Sequence, residues 1–251
     1  MKQEIFQKVY RGRQSWLHHA SYLRMSKVLV ILDFIQRWKI PVEGIRLLDY
    51  GFGAGTLFRY LPTSTKIFGV EQDPILCQEV VHQLSARGFQ NVRLEVIQPA
   101  EPCPHPLLEG PYDLVVCSHV LEHLENPARL LQQFRGAVAS SGKILGVIPI
   151  HERRPNPHHL LKAGRPEVDQ WANQTGLILE IYEEADPWLY WFQPLYAEDH
   201  GWRHRLAQAV SLALGVPATL LGPSRWSAAG EVFRRLTGSL ATQAIFCLRP
   251  K

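Results

Sequence analysis

The chain has 251 residues, 46% apolar and 20% charged, which suits one α/β domain with additions and excludes wholesale disorder. A formal net charge of +4 is too small to argue for nucleic acid by itself, and no stretch reaches the roughly 18 apolar residues of a membrane span. Met1-Lys2-Gln3-Glu4-Ile5 has no apolar run behind it, as a signal peptide would need, and Cys77, Cys103, Cys117 and Cys247 form neither a CxxC pair nor a zinc spacing, so the expectation is a reduced, cytoplasmic protein.

In chain order, Trp16 to Trp38 carries apolar residues near a 3.6 period, including Leu23, Val28, Ile31, Phe34 and Ile35, and reads as a helix closed by Pro41. Strands and helices then alternate. Ile45–Tyr50 is a short apolar strand ending in glycines, and Leu57–Tyr60 continues as a helix. Lys66–Val70 is a second strand. Pro74 sits in the first turn of a helix that Gly88 stops. Val92–Ile97 and Tyr112–Cys117 are the third and fourth strands, Pro127 opens a helix to about Gly136, and Lys143–Ile150 is the fifth strand. Strands recurring every 20 to 30 residues with helices between them predict a mostly parallel sheet covered on both faces.

After that the pattern changes. Arg165–Thr175 reads as a helix, Leu177–Glu183 and Ala244–Leu248 as strands, and Trp188–Gly238 as a helical insertion, since a structureless loop that long is improbable in a compact domain. The expected division is a helical cap over 1–43, a core over 44–184, the insertion over 185–240, and a last core strand over 241–251.

The densest signal is Leu47-Leu48-Asp49-Tyr50-Gly51-Phe52-Gly53-Ala54-Gly55-Thr56, a strand running into three alternating glycines. Glycine lets the chain turn sharply and lets a ligand approach its backbone, and a following helix would present free N–H groups. Glu71 stands 20 residues beyond Gly51, the spacing at which a carboxylate at the tip of the second strand meets a ribose diol. A nicotinamide fingerprint wants glycine at the sixth position, where this chain has Thr56.

The pattern DxGxGxG resembles the class I S-adenosylmethionine-dependent methyltransferases, over Ile45 to about Ile150 and more weakly in the two later strands. The resemblance implies a Rossmann-like α/β fold, a seven-stranded sheet whose last strand is antiparallel, with S-adenosyl-L-methionine as methyl donor and S-adenosyl-L-homocysteine as product. It places Gly51, Phe52, Gly53 and Gly55 along the methionine part of the donor, Asp49 toward its amino-acid end, Glu71 on the ribose and Gln72 beside the adenine. Members often carry an acid after the third strand. This chain departs there, with Gln98-Pro99-Ala100-Glu101; Gln98 or Glu101 is expected to meet the adenine amine, with Ala100 beside the donor.

Cys117-Ser118-His119-Val120-Leu121-Glu122-His123-Leu124 is similar to the turn after the fourth strand in small-molecule members such as the ubiquinone-pathway O-methyltransferases. In open α/β sheets the ligand lies at the strands' carboxyl ends, where the strand order reverses, so Ser118 and His119 are expected beside the sulfonium. An adenine N-methyltransferase would carry Asn- or Asp-Pro-Pro-aromatic here, and a cytosine C5 enzyme a Pro-Cys after the strand; Pro102-Cys103 precedes it. His119 and His123 stand four apart, but the turn motif accounts for His123 and no metal is assigned. His151, His158 and His159 lie on a loop over the pocket mouth, and His119, His158 and His159 are the residues considered as acid–base groups.

From His200 onward seven Arg and Lys stand against a single acid, Glu231, and Trp188-Leu189-Tyr190-Trp191-Phe192 comes just before. This reads as a lid for a hydrophobic or anionic small molecule, or a surface for a membrane or a second copy of the chain. No DNA partner is expected. The reading is O-methylation of a small-molecule acceptor by in-line transfer, with an RNA or protein acceptor, or donor binding without turnover, as alternatives.

Overall fold

A computed structural model describes residues 21–97, 107, 109–153, 156–195 and 202–251. Its elements are α1 (Tyr22–Arg37), β1 (Arg46–Tyr50), β2 (Lys66–Glu71), α2 (Pro74–Ala86), β3 (Val92–Val96), β4 (Tyr112–Ser118), α3 (Pro127–Ala137), β5 (Val138–Pro149), α4 (Arg165–Thr175), β6 (Leu177–Ala185), α5 (Trp202–Leu221), α6 (Pro223–Thr237) and β7 (Gln243–Pro250). The strands form one seven-stranded sheet in the order β3-β2-β1-β4-β5-β7-β6. Only β7 runs antiparallel, to both β5 and β6. The order reverses between β1 and β4, the point beyond whose carboxyl ends open α/β sheets hold their ligands.

Local chemistry sets the helix starts. Asp73 Oδ1 accepts from the N–H of Ile75 ahead of Pro74, and Asn126 Oδ1 accepts from Arg129 ahead of Pro127; each cap satisfies a donor that the helix leaves open. Gly176, with φ 66°, ends α4 in the left-handed conformation.

Strand alternation sends side chains to both faces. Leu114 and Val116 of β4 join one core cluster with Phe34 of α1, Val80 of α2 and Ile67 of β2. Val115 and Cys117 join the other with Leu130 and Phe134 of α3 and Trp171 of α4. A third cluster lies away from the sheet, where Tyr22, Met25 and Leu29 of α1 meet Leu189, Ala218 of α5 and Trp226 of α6. Cys77, Cys117 and Cys247 are free and buried.

Two expectations need correction. The segment after the glycines is no α-helix; Leu57–Tyr60 forms a single 3-10 turn. Pro62 follows at once and steers Leu61 to extended backbone, so there is no room for a helix whose first turn would meet a ligand. The fifth strand starts at Val138, not Lys143, pairing with Tyr112 before an irregular register. Ser140, Ser141 and Gly142 break the apolar run there, so the early part of the strand carries no apolar signal.

Candidate active site

β1 delivers Asp49 and the glycine loop to the point where the strand order reverses. Gly51, Gly53 and Gly55 all have positive φ, at 77°, 55° and 65°, where side-chain-bearing residues are strained. A Cβ at Gly51 would lie 2.6 Å from Cγ2 of Val120 in the turn after β4, whereas one at Gly53 meets nothing within 4 Å. The loop is thus pressed against its neighbour at Gly51 and open at Gly53. Phe52 turns inward, its ring 5.7 Å from that of Phe58, so only its backbone faces the loop's open side.

β2 ends at Glu71. Its Oε2 accepts the Gly53 N–H at 2.8 Å and its Oε1 the Gln72 N–H at 2.7 Å. Burial raises the pKa of this carboxyl, against the hydrogen bonds from Gly53, Gln72 and Asp73. Asp49 is 4% exposed; burial, and then the charge of Glu71, push its carboxyl to about 8. Two adjacent buried acids, both pushed toward their neutral forms and Asp49 to about 8, suit a ligand bearing both a cation and a diol. S-adenosylmethionine is such a ligand, and the donor set fits it. The Oγ of Ser118 is buried without a hydrogen-bond partner. Gln98, Ala100 and Glu101 lie outside the described residues, as does Cys103.

β4 hands over to His119, whose φ of 56° is uncommon for a residue with a side chain. Its N–H is held by Val147 O at 2.8 Å. Its Nε2 lies 3.1 Å from Oε1 of Gln243 on β7. The Gln243 amide NH₂ faces Oδ2 of Asp186 at 2.8 Å and Ser26 Oγ at 3.2 Å. A carboxylate accepts only, so the amide oxygen must face His119, and His119 carries its proton on Nε2. The chain of contacts continues: Tyr22 donates to Asp186 Oδ1 at 2.7 Å, and Trp226 Nε1 donates to Tyr22 OH at 2.9 Å. His119 Nδ1 lies 3.3 Å from Oε1 of the buried Glu122, off the line a hydrogen bond requires. Burial, and next the charge of Lys27, lower the pKa of His119 and keep the ring neutral.

The loop after β5 folds down onto this turn. Leu160 donates to Glu122 O at 2.8 Å. His123 Nδ1 lies 2.9 Å from His158 O, and His159 Nδ1 lies 3.0 Å from a Glu152 carboxylate oxygen. His158 therefore contributes its backbone to the turn, while His119 lies beside Glu122 and the His159 ring stands 5.0 Å from that of His123. Arg153 sits over Trp191 and Tyr190, 4.9 and 5.3 Å from the ring centroids. Sequence reasoning singled out the histidines but not Glu122, Gln243, Asp186 or Lys27. Glu122 stood inside the quoted turn; the other three come from distant segments with no local mark.

A family model described as a methyltransferase domain matches residues 17–212. The chain belongs to the methyltransferase domain family. It is a class I S-adenosylmethionine-dependent methyltransferase. The methyltransferase is 24% identical over 201 residues to a ubiquinone biosynthesis O-methyltransferase of Xylella fastidiosa (strain 9a5c), covering 70% of this chain and 76% of that one. Its fold is similar to coclaurine N-methyltransferase, with a TM-score of 0.61, 11% identity, and 98% and 82% of the two chains covered. It is likewise similar to magnesium protoporphyrin IX methyltransferase from Synechocystis PCC 6803, with a TM-score of 0.58, 10% identity, and 100% and 94% covered. At such identities the solved structures speak to the fold alone. Among the described residues no helix is long and apolar enough to cross a membrane.

Proposed function

We propose that this methyltransferase methylates an oxygen of a small-molecule acceptor by in-line displacement. The observation that carries the reading is the likeness to a ubiquinone biosynthesis O-methyltransferase. In this reading Asp49 faces the positive amino-acid end of the donor, Gly51, Gly53 and Gly55 pass beneath it, Glu71 takes the ribose hydroxyls and Gln72 flanks the adenine. Ser118 and His119 border the place of transfer. Segments 1–43 and 185–240 act as a cap over the core formed by 44–184 and 241–251.

S-adenosylmethionine, when bound, supplies a methyl group on a good leaving group. The chain's own part is to position the acceptor and exclude water. Proximity provides ~7–11 kcal/mol, against a general base's roughly 10²–10⁴-fold. His119 Nε2 is committed as a donor to Gln243, which supports positioning over proton abstraction through that nitrogen. Arg153, framed by Trp191 and Tyr190, suits an anionic or aromatic acceptor at the rim.

The test is a panel of phenols, catechols, carboxylates and amines incubated with the protein and methyl-labelled donor, with products located by mass spectrometry and NMR. Label on oxygen is the expected result. Label on nitrogen, or only on RNA or protein, overturns the reading. Tight donor binding with no product across the panel also overturns it, in favour of a binding protein.

A further inference from the structure

The two helices of the insertion, α5 and α6, both pack on α1, and each turns an apolar row away from it. Along α5 the buried positions include Ala207, Ser211, Gly215 and Ala218, three or four residues apart as one helix face requires. They are small, and Ser211 Oγ accepts the Leu23 N–H at 3.0 Å. The opposite face carries Trp202, Leu206, Ala209, Ala213, Val216 and Leu220, again at steps of four and three, and every one is exposed. Trp202 is 68% and Leu220 81% exposed. The row runs about 27 Å at the helical rise. On α6, Trp226 and Gly230 are buried, while Ala228, Val232 and Leu236 form a second exposed row. A surface helix ordinarily keeps its apolar stripe inward and its polar face in water. α5 does the reverse. Scattered exposed leucines need no explanation, but a continuous row does.

Charge says what covers it. From Trp202 to Thr237 the chain has five arginines and one acid, Glu231, and that carboxylate is already taken by Arg234 and Arg235. Arg203, Arg205 and Arg225 are exposed and have no ion pair among the described residues. Arg203 and Arg205 flank the Trp202 end of the row, and the Arg203 guanidinium lies 5.6 Å from the Trp202 ring centroid. Arg225 stands just beyond the Leu220 end, across Gly222. Two copies packed row to row would therefore bring arginine against arginine whether parallel or antiparallel, with no acid free to separate them. An apolar surface bearing negative charge matches both ends of the row at once.

We propose that the outer faces of α5 and α6 dock this protein on an anionic phospholipid surface. The helices lie in the plane of the headgroups, the apolar rows enter the acyl boundary, and Arg203, Arg205 and Arg225 meet lipid phosphates. Trp202 has the apolar body and polar N–H that suit the interface itself. Among the described residues no helix is long and apolar enough to cross a membrane, so α5 rests on the surface. Its small inward residues stay on α1, and docking needs no rearrangement of the insertion.

The surface is independent of the acceptor's identity and is tested without turnover. The full chain is sedimented with vesicles of phosphatidylcholine mixed with phosphatidylglycerol, and with vesicles of phosphatidylcholine alone. The expected result is binding to the mixed vesicles that is weaker on the neutral ones and falls as salt is raised. Val216→Glu with Leu220→Glu, and Arg203→Glu with Arg205→Glu, each checked for native circular dichroism and donor binding, should lower vesicle affinity at least tenfold. Should either pair fail to fold, bromine-labelled lipid in the mixed vesicles should quench the tryptophan emission of the native chain, and less so in Trp202→Phe. A native chain that stays in the supernatant, or binds neutral and anionic vesicles alike, overturns the proposal, as do folded variants that sediment like the native chain and emission that labelled lipid leaves unchanged. A lipid-free dimer in equilibrium sedimentation, split by Val216→Glu with Leu220→Glu, also overturns it, since a second copy would then cover the row.

Discussion

At the scale of single residues, the site turns on two carboxyls with different surroundings. Glu71 is held by the backbone N–H groups of Gly53, Gln72 and Asp73, and Asp49 is buried beside it. Glu71→Ala should weaken donor binding by ~1–3 kcal/mol, the cost of leaving buried polar groups unmatched; calorimetry that finds native affinity removes Glu71 from the ribose. Asp49 makes a prediction about pH. Its folded pKa is about 8 against an ordinary 3.8, so the folded chain holds a proton that the unfolded chain releases. That contribution to stability is full below about 4 and is lost as pH rises through about 8, so the donor-free protein should become less stable across this window. A cation bound at Asp49 favours the carboxylate. Donor affinity should therefore rise with pH up to about 8 and then level off, with proton release below it. Calorimetry in buffers of different ionisation enthalpy measures the released proton, and Asp49→Asn should abolish it.

At the scale of elements, the glycine loop was legible because its chemistry is local: only a residue without a side chain sits easily at positive φ. The α-helix expected after it was not there, because Pro62 cuts the segment to one turn. The loop's three glycines are also not equivalent. Ala at Gly53 meets open space and should cost ~1–2 kcal/mol for the left-handed backbone alone. Ala at Gly51 adds a 2.6 Å approach to Val120, and overpacking of this kind costs typically ~1–3 kcal/mol more. Urea denaturation of Gly51→Ala and Gly53→Ala checks the order; equal losses would mean that the turn after β4 yields freely.

At the scale of the whole molecule, one line of polar contacts ties the third hydrophobic cluster to the strand tips: Trp226, Tyr22, Asp186, Gln243, His119. It joins α6, α1, the end of β6, β7 and the turn after β4. Tyr22→Phe removes both the donor to Asp186 and the acceptor for Trp226 while keeping the ring. The expected loss is ~1–3 kcal/mol in urea unfolding for buried groups left without partners; a change below about 0.5 kcal/mol would show water replacing the hydroxyl.

The order of strands and helices, the glycine loop and the carboxylate 20 residues beyond Gly51 follow from the sequence, because backbone periodicity, turn chemistry and crossover length act over short stretches of chain. The surroundings of His119 and Glu122 do not. Gln243 reaches His119 across 124 positions because β7 inserts antiparallel between β5 and β6, and His158 reaches His123 across 35 because the loop after β5 folds back onto the turn after β4. Which buried groups face one another, and with which protons, is set by that packing alone: no local pattern records the company a side chain keeps when its neighbours arrive from the far end of the chain.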